Sequence, residues 1–226
     1  MKEIIKIRIL HKHADFLVVH KPHGMSFHAE SESIGFIESL YTITSYKELF
    51  PVHRLDKMTS GLCVVALNKS AAQAFGRLFE ERRVSKLYVA ISDKKPKKKQ
   101  GLIKGGMSPS RRGQWKLTQT DVNVAETRFY SISISPGKRL YFLEPKTGKT
   151  HQLRVAMKSI GAPILGDTRY GGSESDRGYL HACYLSFLWK GEMEAYFLLP
   201  EASDSFNSES TLLIQQFYDK KLNLIE

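Results

Sequence analysis

Cysteine is nearly absent: Cys63 and Cys183 are the two in 226 residues. Two thiols far apart in apolar surroundings read as buried and reduced, and they are too few for a cysteine-rich zinc site. Long apolar runs are also missing. No stretch approaches the ~20 apolar residues of a membrane span. The opening Ile5-Lys6-Ile7-Arg8-Ile9 carries charge where a secretory signal would be apolar. Neither a basic amphipathic helix nor a lipidation signal offers another anchor. These absences lead us to expect a cytoplasmic protein without a membrane partner.

Acid is the scarce charge, with 23 Asp and Glu against 34 Lys and Arg, a net of +11. Such an excess favours an anionic partner, most commonly nucleic acid. Residues 191–226 hold seven acids against Lys220 and Lys221, so the basic excess belongs entirely to the preceding body. Several enzyme signatures are incomplete or lacking. Gly148-Lys149-Thr150 ends like a phosphate-binding P-loop, but Leu143 stands where the first glycine is required, so no nucleotide cofactor is expected. The pairs His11 and His13, and His23 and His28, have no zinc-site spacing. No Gly-x-Ser-x-Gly elbow marks a serine hydrolase. A basic nuclease would usually need a metal site, and no motif supplies one.

Hydrophobic residues make up 42% and charged residues 25%, ordinary values for a folded soluble chain. Ile5, Ile7 and Ile9 alternate with Lys6 and Arg8 as a half-buried strand does. Residues 16–20 read as a second strand, stopped by Lys21-Pro22-His23-Gly24. A short helix is expected over 34–41, with Ile34, Ile37, Leu40 and Tyr41 on one face. Residues 62–67 form a continuous apolar run of central-strand length. The helix after it has capping-box spacing at Ser70 and Gln73, and Ala71, Ala74, Phe75, Leu78 and Phe79 repeat along one face. Residues 87–92 read as a strand. Residues 93–116 carry nine cations against Asp93, punctuated by Gly and Pro; this is a long basic loop or hairpin outside the core. Strands are expected at 126–133, 140–143, 184–189 and 194–199, and helices at 151–160 and 211–221. Strands and helices mix without strict βαβ alternation, and no linker splits the chain. A single α+β domain over residues 1–226 is expected.

The most informative segment is His53-Arg54-Leu55-Asp56-Lys57-Met58-Thr59-Ser60-Gly61, polar residues placed just before the buried strand. From spacing alone it could be an Arg–Asp surface pair in a turn. However, His53-Arg54-Leu55-Asp56 followed by Thr59-Ser60-Gly61-Leu62 resembles the signature of the RluA family of pseudouridine synthases. Three further blocks follow in the family's order. They are Phe79 to Val84 with Lys86-Leu87-Tyr88, then Lys146 to Arg154 continuing through Gly166-Asp167 and Tyr170-Gly171, and finally Leu180-His181-Ala182. The match runs from about residue 16 to residue 200. Departures at Cys63, Leu67-Asn68 and Ala162 avoid the reactive positions. The small N-terminal RNA-binding domain of some relatives is expected to have no counterpart, because Phe16 already begins the region of resemblance.

The resemblance implies a catalytic domain with a central, mixed and mostly antiparallel sheet flanked by helices and loops, with a cleft. It implies an isomerase that detaches uracil from C1′ of a uridine, rotates it and rejoins it through C5, with no metal or organic cofactor. The RNA would be ribosomal, transfer or both, and a monomer is the default expectation. Asp56 matches the essential aspartate. It could attack as a nucleophile, stabilise a cation at C1′ or accept a proton from the sugar. Arg154 matches the arginine that pairs with it, which would favour the ionised carboxylate. Tyr88 matches the tyrosine that stacks on the target base. Arg54 matches the arginine that helps fill the gap left by a flipped nucleotide. The loop at 93–116 resembles one that reaches over the RNA, with Lys97, Lys98, Lys99, Arg111 and Arg112 as phosphate contacts and Trp115 as a stacking platform. The rival reading on the same fold is a catalytically silent RNA-binding or remodelling module.

Overall fold

The computed structural model describes residues 7–30 and 33–222, so Ile5 lies outside the described residues. In chain order the elements are β1 (Arg8–Lys12), β2 (Phe16–Lys21), α1 (Phe36–Ile43), β3 (Phe50–Pro51), β4 (Ser60–Ala66), α2 (Lys69–Glu80), β5 (Ser85–Ser92) and β6 (Gln100–Pro109). They continue with β7 (Trp115–Thr118), β8 (Val124–Ser135), β9 (Lys138–Pro145), α3 (Gln152–Ser159), β10 (Leu180–Trp189), β11 (Glu192–Phe197) and α4 (Ser208–Leu222). The fold is α+β, as expected. One eleven-stranded sheet runs β1-β2-β4-β10-β5-β9-β8-β6-β7, with β3 added on β4 and β11 on β10. Among the described residues, β4 against β10 is the parallel pair in an otherwise antiparallel sheet. No described helix is long and apolar enough to cross a membrane.

The sheet is covered on both faces, which is why its central strands are apolar throughout. Phe16, Val18, Leu62 and Val64 point to α2 and pack with Phe75, Leu78 and Phe187. Leu17, Val19, Cys63 and Val65 point the other way, to Phe36, Ile37 and Leu40 of α1. Both cysteines are buried and neither is joined in a disulfide, and burial pushes the Cys63 thiol up to about 12, so it stays protonated. The larger core lies where β5, β8, β9 and β10 meet α3 and α4.

Four expectations need correction. The first helix begins at Phe36, and Ile34 is 67% exposed outside it. Gly35 sets this start: a Cβ there would lie 2.2 Å from the His28 carbonyl carbon, so a tight backbone crossing precedes the helix. Its buried face is Phe36, Ile37 and Leu40, while Tyr41 is exposed. The cap of α2 is Asn68, whose side-chain oxygen accepts the Ala71 N–H at 2.8 Å, so the Ser70–Gln73 box is not used. Residues 100–109 and 115–118 form the hairpin alternative, but its strands join the sheet and bury Ile103 and Met107, so it does not lie outside the core. Their glycines, read as loop punctuation, serve close approach instead: a Cβ on Gly105 would sit 2.7 Å from the Thr118 carbonyl oxygen of the neighbouring strand. The last helix starts earlier than expected, at Ser208, where the Asn207 side chain accepts the Ser210 N–H.

Candidate active site

The segment 52–59 crosses from β3 into β4 at the point where β4 meets β10, and buried groups pin it along its length. His53 Nε2 accepts the Val64 N–H at 2.9 Å. Burial, with the nearby Lys86 charge, drives the His53 pKa down to about 3, so the ring is neutral. Leu55 is buried. The fully buried Lys21 ammonium donates to the carbonyls of Pro22, Lys57 and Thr59, the last at 2.9 Å. Burial lowers its pKa to about 8, although Asp56 among others opposes the shift. Ser60 is held next, by Arg177 at 2.6 Å and by His181 Nδ1 at 2.9 Å. Gly61 has φ +120°, and a Cβ there would lie 2.3 Å from the Ala182 carbonyl oxygen; only glycine admits the parallel crossing. Asp56 sits in the middle of this pinned turn, with its carbonyl accepting the Thr59 N–H.

The second wall comes from the chain before α3. Gln152 gathers Thr147 Oγ1 and the Lys149 N–H on its oxygen. Its nitrogen donates to the Glu126 carbonyl and Thr127 Oγ1 of β8. The Gly148-Lys149-Thr150 turn is therefore locked to the sheet by a side-chain amide. Further along the helix, Arg154 faces inward. Its Nη1 lies 3.4 Å from Asp56 Oδ2, and the Arg154 and Asp56 side chains are 9% and 20% exposed. Its other two nitrogens belong to Asp167: Nε donates to Oδ2 at 2.7 Å and Nη2 to Oδ1 at 2.8 Å, with Asp167 only 1% exposed. The guanidinium also packs 4.7 Å from the centre of the Tyr170 ring. Burial alone would lower the arginine's pKa, but the bonds and charge of Asp167, then the charge of Asp56, raise it.

Arg54, Asp56, Tyr88 and Arg154 line one cavity of about 120 Å³, which Lys86 and His151 also line. Tyr88 stands on β5 between Ala182 of β10 and Leu143 of β9. Burial first, then neighbouring groups including Asp56, push its phenol pKa well up, so it is a neutral ring in this cavity. Burial lowers the Lys86 ammonium to about 8. Arg54 is exposed and has no side-chain partner among the described residues. The expected basic loop divides in space. Lys97 joins its backbone to Ile160 at the far end of α3, with Lys98 and Lys99 exposed beside it. Arg111 and Arg112 are exposed at the hairpin tip, which Gln114 ties to the Arg169 carbonyl near the cavity. Trp115 is half-buried against the cluster of Met107, Val155 and Tyr170, so much of its ring is already in use.

Asp167 and His151 carry no expected role although both fall in a quoted block, and Lys21 enters the sequence reading only as part of a strand stop. The signal for Asp167 was present: a single carboxylate closing the apolar run Ala162-Pro163-Ile164-Leu165 implies a buried charge in need of a cation.

A family profile described as RNA pseudouridylate synthase matches residues 15–159. An "uncharacterized RNA pseudouridine synthase" of Haemophilus influenzae is 50% identical over 185 residues, covering 81% of this chain and 83% of that protein. Ribosomal large subunit pseudouridine synthase C of Rickettsia typhi is 32% identical over 197 residues, covering 82% of this chain and 65% of that one. The solved structure of human RNA pseudouridylate synthase domain containing 1 aligns with a TM-score of 0.75 at 25% identity, over 91% of this chain and 88% of the human one.

Proposed function

Because the chain belongs to the RNA pseudouridylate synthase family, we propose that it converts uridine to pseudouridine in ribosomal RNA, with Asp56 as the carboxylate that acts on the target nucleotide. Uridine isomerisation in RNA is the family's reaction. The ribosomal target is favoured over transfer RNA by the names of relatives such as the Rickettsia synthase. The observation that carries the role of Asp56 is its position in a cavity shared with Tyr88, 3.4 Å from a buried arginine.

A uridine stacked in RNA hides C1′ and C5, so it must be flipped out at a cost of a few kcal/mol. Arg54, exposed at the cavity mouth, offers a flat cation to the gap left behind. Inside, Tyr88 supplies a neutral aromatic face for the uracil, and the carboxylate of Asp56 faces the sugar. Exclusion of water matters because a detached base would otherwise be lost to hydrolysis. The pinned turn at 52–59 and the Gln152-locked turn at 147–150 give this cavity rigid walls. The direct test is to incubate the purified protein with deproteinised ribosomal RNA from cells lacking it, and to map pseudouridine at single-nucleotide resolution. New pseudouridine at a defined position is expected; RNA left unchanged, or modified only when transfer RNA is supplied, would refute the ribosomal assignment.

Two further results are expected. Arg54→Ala should lower kcat/KM about 10–100-fold, the equivalent of ~1.4–2.8 kcal/mol of the flipping cost, while the Kd for the same RNA changes less than about threefold. Lysine at this position should not restore turnover, since it lacks the planar stacking face. Equal losses in turnover and binding would reduce Arg54 to a phosphate contact. Separately, replacing Lys97, Lys98 and Lys99 together by alanine should weaken binding and flatten the slope of log K against log salt by up to ~0.9 for each phosphate no longer neutralised. The Arg111 and Arg112 pair should be measured alongside, because it lies on a different part of the surface. An unchanged slope takes the lysine run off the interface.

A further inference from the structure

The roles given to Asp56, Tyr88, Arg154 and Arg54 leave one polar chain at the cavity wall unused. Tyr170 is 1% exposed. Its hydroxyl has two hydrogen-bond neighbours among the described residues, the Trp115 backbone N–H at 2.8 Å and His151 Nδ1 at 2.8 Å. The Trp115 N–H can only donate, so it occupies a lone pair of the phenol oxygen. The phenol proton then needs an acceptor in a place shut off from water, and His151 Nδ1 is the one within reach. An accepting Nδ1 leaves the ring proton on Nε2. The opposite tautomer would set two N–H donors on the phenol oxygen and strand its own proton.

His151 lines the cavity with Asp56, and its Nε2 has no partner among the described residues. Burial lowers the ring's pKa; Asp56 opposes this, and Arg154 and Arg169 add to it, so the ring is neutral. Its backbone is left-handed, at φ 55° and ψ 18°, at the N-cap of α3, where its side chain makes no capping bond. A side chain held at a sparsely populated φ while leaving the helix end uncapped is aimed elsewhere.

We propose that His151, held as the Nε2–H tautomer by the Trp115–Tyr170 chain, donates a hydrogen bond to an oxygen of the flipped nucleotide beside Asp56, with Tyr170 as its positioning residue. This rests on the uridine-isomerase reading of the same cavity. It also links the hairpin arm to the reaction, because the first amide of β7 orients the phenol that orients the imidazole.

The test has one arm that reads no activity and one that does. In the full-length protein with 15N-labelled histidine, the His151 ring should show a protonated Nε2 and a bare Nδ1, and Tyr170→Phe should release it to a mixture of tautomers. A protonated Nδ1 in the wild type overturns the proposal. In turnover, His151→Asn tolerates the left-handed backbone and keeps an acceptor for the phenol where Nδ1 was, but has no donor where Nε2 was. It should lose about 10–100-fold in kcat/KM with RNA affinity nearly unchanged. His151→Gln, whose amide reaches the Nε2 position, should recover part of the loss. A fully active His151→Asn overturns the donor role alone; a wild type that forms no pseudouridine overturns the function and the donor role together.

Discussion

Asp56→Asn should all but abolish pseudouridine formation, a loss of about two to four orders of magnitude in turnover, in a protein that folds normally and still binds RNA. The size follows from the chemistry. A single positioned acid–base group contributes about 10²–10⁴, and every role open to Asp56 requires its negative charge, whether it attacks, stabilises a cation at C1′ or takes a proton from the sugar. Asparagine keeps the shape and removes the charge. Stability should hardly change, because the turn is pinned by His53, Leu55 and Lys21, and the Asp56 contact to the Thr59 N–H uses the backbone carbonyl. Arg154 is not stranded either, since Asp167 keeps both of its hydrogen bonds to it. The measurement is release of hydrogen from C5 of uridine-labelled RNA, read beside a thermal melt and a binding isotherm. Turnover within tenfold of the wild type would remove Asp56 from the reaction.

The charge pattern and the apolar runs made the body of this fold readable. β2 and β4 are apolar at nearly every position because α1 and α2 cover opposite faces of the same strands, and a residue-by-residue reading detects that directly. The hairpin at 100–118 is legible as a basic loop or hairpin, but its place in the sheet and core is not, because its strands are held by backbone pairing to β8 and by glycines that allow close approach, which leaves little hydrophobic periodicity. Residues 56 and 154 stand 98 positions apart, and no local pattern joins them; the family resemblance did. The role of Asp167 is illegible in the sequence for a related reason. Its partner is named only by the fold, and a carboxylate thirteen residues from an arginine across a turn has no characteristic spacing.

That buried carboxylate yields the largest stability effect expected here. Asp167→Ala should destabilise the protein by about 3–5 kcal/mol, because it leaves the Arg154 guanidinium in a buried place with its two best hydrogen bonds gone. For a chain of this length that is a fall in Tm of roughly 6–20 °C. Asp56 at 3.4 Å and the Tyr170 ring at 4.7 Å remain to Arg154, so the arginine should turn toward Asp56 and the catalytic geometry should fail together with the stability. Coupled losses of this kind do not reveal which comes first, and a second variant separates them. Replacing both partners, Asp167→Leu with Arg154→Met, removes the buried charges as a pair, a change that is often neutral or stabilising by about 1–4 kcal/mol. Its Tm should recover to near the wild-type value, whereas turnover should stay lost, since Asp56 then faces the nucleotide without its cation. A double variant that is both stable and active would mean that Arg154 serves the fold alone. A single Asp167→Ala variant that melts with the wild type would mean that the pair holds nothing in place. The pattern expected is stability restored and catalysis still absent, because Asp167 acts by aiming Arg154 and Arg154 acts by its charge.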